Sequence, residues 1–513
     1  MKKQLLAGID VGTTGTKTIL FDTEGSILAS AYQEYSCIYP KTGWVEQDPE
    51  MLFAAVCSTC RAALEQITDP DMQVVSVSLS AQRSCVLFLD EANQPLKMIS
   101  WLDNRAIAEA EEIADQFGRE KFYEITGLPL CATWILPKIL HTRKNFPELG
   151  HKTRRLCQLH DYILYRLGAG DFFGNVAEGG FWGLWDNRSL NFSRELMDCF
   201  QIPEALLPRM RRTGEPVGTI SAEAAEKSGL GPDVLLCVGA GDQNSAALGA
   251  GVVSPGSVSI SLGTGGLATV VLDGCYRDPN GQAMVTSHAC QGLWTFEGLQ
   301  NAAAGVFRWF RDEIAALEKS QAAASGTSAY DRLNEMIAQT PVGARGLLLL
   351  PQFAGSAAPR WNASARGAFL GLTLSHTRAD MARACIEGIT LEQKDILHSL
   401  KAAGKDFSFV RIVGGATNSE IWNQIQADVY GLACETLEVS DAAAVGAAIS
   451  AGVGCGIFRD IREGAGKMVH VRKRYEPNPE NVKKYQKLYE IYCAAYEALE
   501  NAQVFSGLAE MDG

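Results

Sequence analysis

Two segments far apart in the chain repeat one pattern: an apolar strand, a turn of glycines and threonines, and a second apolar strand. The first, AGIDVGTTGTKTILFD, covers residues 7–22, and the second, SISLGTGGLATVVLD, covers residues 259–273. When Gly12 is aligned with Gly263, one threonine and a second glycine of each turn coincide as well. Because strands joined by a glycine turn form β-hairpins, the sequence predicts two similar hairpins.

Strand-like and helix-like patterns alternate along the rest of the chain, which favours the α/β class. One example is the predicted helix over residues 48–67, with Asp48 as its N-cap and Pro49 in its first turn. A chain of 513 residues is too long for one ordinary core. We therefore predict two related domains, residues 1–248 and residues 249–513, each with one hairpin near its start.

The turns of both hairpins have the composition of a phosphate site. Glycines let the backbone approach a ligand, and successive N–H groups form a concave anion site. In the first turn, Thr13, Thr14 and Lys17 add donors. Asp10 would repel phosphate, but it can hold Mg²⁺, which in turn binds phosphate oxygens. The second turn has Ser261 in place of Asp10, so it is predicted to bind phosphate alone. An ordinary hairpin is the alternative for one copy, and the second copy favours phosphate binding.

Asp242 stands between an apolar strand and a helix of small residues in the segment VLLCVGAGDQNSAALGAG. A carboxylate at this place can cap the helix. In a phosphoryl-transfer site, it can instead accept the proton of the attacking hydroxyl. The residue pattern by itself leaves both interpretations open.

Composition restricts the partners and the compartment. The net charge of −13 disfavours nucleic acid and anionic membrane as main partners, because both attract basic surfaces. The chain has neither a signal-peptide core nor an apolar run long enough to span a bilayer, so we expect a cytoplasmic protein. Cys57 and Cys60 have a metal-like spacing, but without a second pair they are predicted to be core residues.

Several motifs of this sequence occur together in one known family and in the same order. They are GIDVGTTGTKTILFD, GWVEQDPE, SAQRSCVLFLDEANQPL, SWLDNRA, GDQNSAALGAGVVSPGSVSISLGTGG, FRWFRDE, GAFLGLTLSHTRADMARACIEGI and GGATNSEIWNQIQADVYG. In this respect the chain, from residue 4 to about residue 495, resembles the FGGY carbohydrate kinases. The resemblance implies an actin-like (ribonuclease H-like) two-domain ATPase fold with an interdomain cleft. It also implies ATP and Mg²⁺ as cofactors and a small sugar or polyol as substrate.

The resemblance further implies a role for each matched residue, and Asp242 becomes the catalytic base. The matched residues of the nucleotide site are Asp10 for the metal, Thr13, Thr14, Lys17, Gly263 and Thr264 for phosphate, and Gly414, Gly415, Asn418 and Ser419 for adenosine. The matched residues of the sugar pocket are Gln82, Arg83, Trp101, Asp103 and Asp242, and Arg105 falls in a segment that lines the same pocket. Two alternatives stay open: Trp101 could pack in the core, and Arg105 could serve only as an ion-pair partner of Asp103.

The substrate is less clearly indicated than the reaction. The chain looks most like xylulokinases, and the best single prediction is transfer from ATP to D-xylulose. However, Arg83 and Ser84 replace the Met-His usual in that group, and Trp182 stands where a small hydroxyl residue is usual. The alternatives are a kinase of glycerol, erythritol, ribulose or gluconate, and a non-catalytic sensor of sugar or nucleotide on the same fold. A homodimer also stays open, because many relatives in this family are dimers, although the sequence shows no distinct interface signal.

Overall fold

The computed structural model describes residues 3–278, 281, 283–401 and 407–511. Two compact units are present, and neither is one continuous stretch of chain. The first unit comprises Met1–Pro255, Val271–Thr295 and Asp441–His470, and the second comprises Gly256–Val270, Phe296–Ser440 and Val471–Gly513. Among the helices of the described ranges, none combines the length and the apolar character needed to cross a bilayer.

Strands are numbered here in chain order, and so are helices. The strands are β1 (Lys3–Val11), β2 (Gly15–Phe21), β3 (Ile27–Glu34), β4 (Met72–Ala81), β5 (Val86–Leu89), β6 (Pro95–Ile99), β7 (Arg155–Cys157), β8 (Phe173–Asn175), β9 (Trp185–Asp186), β10 (Asn191–Phe192), β11 (Arg209–Arg211), β12 (Pro216–Thr219), β13 (Leu235–Gly241), β14 (Val258–Leu262), β15 (Gly266–Leu272), β16 (Met284–Ser287), β17 (Trp294–Gln300), β18 (Leu348–Leu350), β19 (Ala368–Leu370), β20 (Val410–Val413), β21 (Cys434–Leu437) and β22 (Val471–Tyr475).

The α-helices are α1 (Pro49–Leu64), α2 (Ile107–Phe117), α3 (Arg119–Thr126), α4 (Ile135–Asn145), α5 (Pro147–Lys152), α6 (Leu159–Leu167), α7 (Arg194–Phe200), α8 (Ala222–Ser228), α9 (Asp242–Gly249), α10 (Ala304–Trp309), α11 (Ala316–Ser325), α12 (Ala329–Gln339), α13 (Arg378–Lys401), α14 (Glu420–Tyr430), α15 (Ala442–Gly454), α16 (Ile461–Met468), α17 (Pro479–Asn501) and α18 (Val504–Glu510). Short 3₁₀ segments cover Val176–Trp182, Glu204–Leu206, Ala344–Gly346 and Gly415–Asn418, and a π-helical turn covers Phe310–Ile314.

The main sheet of the first unit has the strand order β12-β13-β4-β1-β2-β3. Strands β1 and β2 form the predicted hairpin, and β4 and β13 lie parallel to β1. Helix α1 packs against this sheet, and its N-terminus is capped by the carboxylate of Asp48 as predicted. Cys57 and Cys60 lie on the buried face of α1, within the core.

The second unit repeats this arrangement of a hairpin followed by parallel neighbours. Its strands lie side by side in the order β17-β15-β14-β20-β21-β22. Strands β14 and β15 form the second predicted hairpin, and β20 runs parallel to β14. Helix α14, which begins after the cap residue Ser419 and ends at Gly431, packs against α13 and α17.

The two hairpins differ in register by one residue. In the first, Val11 pairs with Thr16, whereas in the second Leu262 pairs with Gly266. The first turn therefore has one residue more, although the sequences of the two hairpins align without a gap. The division at residues 248 and 249 remains a prediction, because the compact units are interleaved along the chain.

Candidate active site

The candidate site of the first unit lies at one edge of its sheet. Parallel strands β1, β4 and β13 are neighbours, so their carboxyl ends meet at that edge. Asp10 pairs with Ser80 of β4, and Gly241, which precedes Asp242, pairs with Ala81. Ligands of open α/β sheets commonly bind at such an edge. The fold thus brings together two carboxylates that lie more than two hundred positions apart in the sequence.

Asp10 lies in a crowded and acidic environment. Ser80 Oγ donates a hydrogen bond to Oδ1 of Asp10 over 2.7 Å. Burial raises the pKa of Asp10 to about 6, and the neighbouring carboxylates of Asp242 and Asp441 add to the rise. Lys17 acts in the opposite direction, and its Nζ lies 2.7 Å from Oδ1 of Asp441. A divalent cation would relieve the repulsion among these carboxylates.

The first turn is held by side chains around Thr13. Its Oγ1 donates to Oε1 of Gln82 over 3.2 Å and accepts the indole N–H of Trp101 over 2.9 Å. Gln47 Nε2 donates to the carbonyl of Thr13 over 2.9 Å, while Thr14 next to it is exposed. Gln82 is buried and therefore supports the turn from beneath. The indole of Trp101 is 40% exposed, so the core-packing alternative for this residue is wrong.

Arg83 and Asp242 face each other across the edge of the sheet. Nε of Arg83 lies 3.4 Å from Oδ1 of Asp242. The guanidinium of Arg83 also lies over the ring of Phe181, 4.3 Å from its centroid. Asp242 is the first residue of α9, and the N-cap position is occupied by Gly241. The interpretation of Asp242 as the helix cap is therefore not supported by the structure.

Asp103 does not lie on the surface of this site. Its side chain is fully buried, and Oδ1 and Oδ2 accept from Nε and Nη2 of Arg105 over 2.8 and 2.7 Å. The backbone N–H of Val45 donates to Oδ2 as well, over 2.5 Å. Arg105 further bonds Glu46 and lies over the ring of Trp44. This geometry corresponds to the structural ion pair, and contact of Asp103 with a sugar stays a prediction that this arrangement does not favour.

Two residues of this region gave no signal in the sequence. Lys138 is fully buried, and its Nζ donates to the carbonyls of Ser84 and Ser100 over 2.9 Å each. Burial lowers the pKa of Lys138 to about 8. The carboxylate of Glu178 and the side chain of Arg83 both lie against Gly241, where an added Cβ would collide with each of them. The two side chains are therefore neighbours. Neither Lys138 nor Glu178 belongs to a recognisable motif, so only the three-dimensional structure places them here.

The atypical Trp182 fills the core. Its side chain is fully buried and packs edge-on against Phe192, with ring centroids 5.7 Å apart. It belongs to an apolar cluster with Phe122, Trp134 and Leu184. The departure at this position is therefore a change in packing. Ser84 is also buried and adopts a left-handed backbone conformation, with φ of 57°.

In the second unit, the ends of β14 and β20 bring the later motifs together. The carbonyl of Thr264 accepts backbone N–H groups of Ala303 and Gly305, over 2.8 and 3.2 Å. Gly414 lies against β14, since an added Cβ would stand 2.7 Å from the carbonyl oxygen of Leu262. The predicted phosphate turn and the predicted adenosine motif are therefore neighbours within this unit.

A pocket of about 400 Å³ opens beside these segments in the second unit. Ser419 Oγ caps α14 and donates to Oδ1 of Asn334 over 2.8 Å. Of the residues predicted to hold adenosine, Gly415, Asn418 and Ser419 line this pocket, and no signal in the sequence indicated the wall contributed by α12. The pocket is lined by Ala304, Phe307, Ser328, Tyr330, Asp331, Asn334, Gly415, Ala416, Asn418, Ser419 and Trp422.

The chain is similar to known proteins over most of its length. Residues 5–249 match the model of the N-terminal domain of the FGGY family of carbohydrate kinases, and residues 258–455 match that of the C-terminal domain. The chain is 30% identical to xylulose kinase of Lactococcus lactis subsp. lactis (strain IL1403), over 96% of each chain. It is 28% identical to gluconokinase of Bacillus licheniformis, over 97% of this chain and 96% of the relative.

The similarity extends to a solved structure. A ligand-bound xylulose kinase from Lactobacillus acidophilus superposes with a TM-score of 0.89 and 27% identity, covering 97% of this chain and 98% of the other. The prediction of an α/β, actin-like fold is thereby confirmed.

Proposed function

The chain belongs to the FGGY family of carbohydrate kinases, and from that premise we propose that this sugar kinase transfers the γ-phosphoryl group of ATP to D-xylulose. The product would be D-xylulose 5-phosphate, formed at a terminal hydroxyl. Support for the sugar comes from the xylulose kinases among its relatives. Because a gluconokinase is similar at nearly the same identity, the site itself has to discriminate between these substrates.

The charges around Arg83 favour a neutral sugar over a negatively charged aldonate as the substrate. Its guanidinium is matched by Asp242 at 3.4 Å, and the carboxylate of Glu178 lies beside its stem. Asp10 adds a further acid at the same edge of the sheet. An aldonate such as gluconate would bring one more negative charge to a region already rich in carboxylates. A neutral ketopentose needs only hydrogen bonds, which Arg83 and Asp242 can supply.

In the proposed reaction, Asp242 is the general base. Its carboxylate takes the proton of the attacking hydroxyl as that oxygen forms a bond to the γ-phosphorus and the bond to ADP breaks. Arg83 binds sugar hydroxyls and orients the Asp242 carboxylate. Trp101 offers an exposed ring to a carbon face of the sugar. Gln82 keeps Thr13 in place from beneath.

The residues present fit ATP and Mg²⁺. The pocket of the second unit joins aromatic rings to amide and hydroxyl groups, as a nucleoside requires. Asn418 and Ser419 are proposed to hold adenosine, while the two glycine turns hold phosphates. Asp10 is proposed to hold the metal, because Mg²⁺ is usually bound by one or two carboxylates together with phosphates. When bound, Mg²⁺ neutralises the charge of the phosphates.

A substrate panel tests the proposal. Release of ADP from ATP and Mg²⁺ would be measured with D-xylulose, D-ribulose, glycerol, erythritol and D-gluconate, with Asp242→Asn as the background. We expect the highest kcat/KM for D-xylulose and the lowest for gluconate. A preference for gluconate would contradict the charge argument, and a preference for another neutral compound would contradict only the choice of sugar.

A further inference from the structure

Strand β13 leaves regular pairing just before it delivers Asp242. Its register against β4 shifts between Cys237 and Ala240, so two residues of β13 stand opposite the single residue Leu79. Gly239 lies in this bulge, and an added Cβ would overlap the carbonyl oxygen of Leu79. Bulges re-aim the residues that follow them, and here those residues lead into the proposed base.

Two buried side chains satisfy the backbone of the bulge. The N–H of Gly239 donates to Nε2 of His160 over 3.0 Å. The carbonyl of Gly239 accepts from Nδ2 of Asn175. Both side chains are almost fully buried. The path of the chain at Gly239 is therefore fixed from both sides by hydrogen bonds that the regular ladder does not supply.

His160 is itself held in one orientation. Because Nε2 accepts from Gly239, the proton of the neutral ring is on Nδ1, which lies 3.2 Å from Oδ1 of Asp161. Oδ2 of Asp161 accepts the backbone N–H of Gln158 over 2.9 Å and closes the capping box of α6. Polar contacts thus connect the N-terminus of α6 to Gly239 through Asp161 and His160.

Asn175 connects the same bulge to the sugar side of the site. Its Oδ1 accepts the N–H of Ala177 over 2.6 Å and caps the 3₁₀ segment that carries Glu178 and Phe181. Phe181 lies beneath Arg83, and Oε1 of Glu178 accepts from Asn244 of α9 over 3.2 Å. One amide therefore positions both the end of β13 and the support of Arg83.

We propose that His160 and Asn175 are positioning residues that fix the Asp242 carboxylate through the bulge at Gly239. The proposal rests on the proposed function, in which Asp242 is the base. Neither side chain is required to touch the sugar or the nucleotide. Their contribution is to keep Ala240, Gly241 and Asp242 on the path that leaves the carboxylate beside Arg83.

The experiment removes the hydrogen bonds with little change in volume. His160→Leu deletes the acceptor for Gly239, whereas His160→Gln returns an oxygen that can accept. Asn175→Asp keeps the cap of the 3₁₀ segment but replaces the donor to the Gly239 carbonyl with an acceptor. We expect kcat to fall about 10- to 100-fold in His160→Leu and Asn175→Asp, because an error of about 1 Å has that effect. KM for ATP should stay within about threefold of wild type, and His160→Gln should recover most of kcat.

A control and a second readout separate positioning from stability. His141 of α4 is another buried histidine of the first unit, and its Nδ1 lies 3.1 Å from Oε2 of Glu109 in α2. His141→Leu should lower the melting temperature with kcat nearly unchanged. All variants would be assayed well below their melting temperatures, with the best substrate of the panel.

The outcomes distinguish a failure of this inference from a failure of the proposed function. If Asp242→Asn keeps wild-type turnover, the base assignment itself fails. If Asp242→Asn is inactive while His160→Leu and Asn175→Asp keep wild-type kcat, only the positioning role is overturned. Equal losses of kcat in His160→Leu and His160→Gln would likewise contradict a role carried by the acceptor atom.

Discussion

Nε of Arg83 and Oδ1 of Asp242 lie 3.4 Å apart, which joins the end of β4 to the start of α9. The two groups are supplied by parallel strands whose carboxyl ends meet at one edge of the sheet. The guanidinium also lies over the ring of Phe181, and this contact favours the orientation in which it faces the carboxylate. A sugar hydroxyl arriving here would meet a donor and an acceptor already in place.

Asp242→Ala should abolish transfer and leave nucleotide affinity largely intact. Loss of the proposed base should lower kcat by about 10²- to 10⁴-fold. The proposed adenosine pocket lies within the second unit, and Asp242 is not among the residues that line it. Steady-state assays and titration with a fluorescent ATP analogue would measure the two effects. Asp48→Asn, which keeps a capping side chain at α1, is the control and should match wild type. Near-normal turnover of Asp242→Ala would refute the base assignment.

Trp101→Ala should mainly raise KM for the sugar. The indole is exposed, and its Nε1 donates to Thr13 Oγ1 over 2.9 Å. Removal of the ring should raise KM about tenfold, which corresponds to about 1.4 kcal/mol. Trp101→Phe keeps an aromatic face and should recover most of that loss, so the pair of variants separates the ring from the N–H. An unchanged KM in Trp101→Ala would exclude contact between this ring and the sugar.

Much of this geometry follows from local sequence rules. The hairpins, the cap at Asp48 and the strand-to-helix junction at Asp242 depend on neighbouring residues, so pattern reasoning finds them. The contacts that hold the site do not. Asn175 reaches Gly239 across 64 positions, and Lys138 reaches Ser84 across 54. Chain folding alone brings such partners together.

The sugar pocket shows the same limit on prediction. From the sequence, Asp103 and Arg105 could be sugar ligands or an ion pair. Their burial in the structure favours the ion pair. Trp182 looks like a change of specificity in the sequence, whereas its full burial identifies it as a core residue. A short motif specifies which residues occur together, but it does not specify which of them face solvent.

Binding of Mg²⁺ at Asp10 should weaken as the pH falls below about 6. The carboxyl has a pKa of about 6 in the folded chain, so it is mostly protonated at pH 5 and mostly ionised at pH 8. We expect Mg²⁺ alone to raise the melting temperature of wild type more at pH 8 than at pH 5, and to have little effect on Asp10→Asn. Equal responses of wild type at the two pH values would contradict the metal assignment.

The same pKa shift predicts an effect on stability. Folding raises the pKa of Asp10 from 3.8, so the folded state binds more protons than the unfolded state between pH 3.8 and pH 6. Ionisation therefore disfavours the folded state, fully above pH 6 and not at all below pH 3.8. Without Mg²⁺, Asp10→Asn should melt above wild type at pH 8, and the gap should shrink as the pH falls toward 4. A gap that does not change with pH would contradict the shift.

Gly414 and Gly415 form a matched pair of test positions. Gly414 has φ of 89°, and an added Cβ would stand 2.7 Å from the carbonyl oxygen of Leu262, so Gly414→Ala should lower the melting temperature. Gly415 lines the pocket, and an added Cβ would meet no atom within 4 Å. Gly415→Ala should therefore fold normally and raise KM for ATP severalfold by narrowing the pocket. If KM for ATP is unchanged in Gly415→Ala, this pocket is not the nucleotide site.

Lys138 should make stability rise in alkaline solution. Burial lowers its pKa from 10.5 to about 8, so between these values the unfolded chain keeps a proton that the folded chain has released. Stability then increases with pH across that window, because the unfolded state binds more protons. The difference in melting temperature between wild type and Lys138→Met should therefore grow in favour of wild type from pH 7 to pH 10. A melting difference that is flat or reversed over this range would show that the ammonium is not the titrating group.

Lys138→Met should also raise KM for the sugar, because the carbonyls of Ser84 and Ser100, next to Arg83 and Trp101, lose their shared donor.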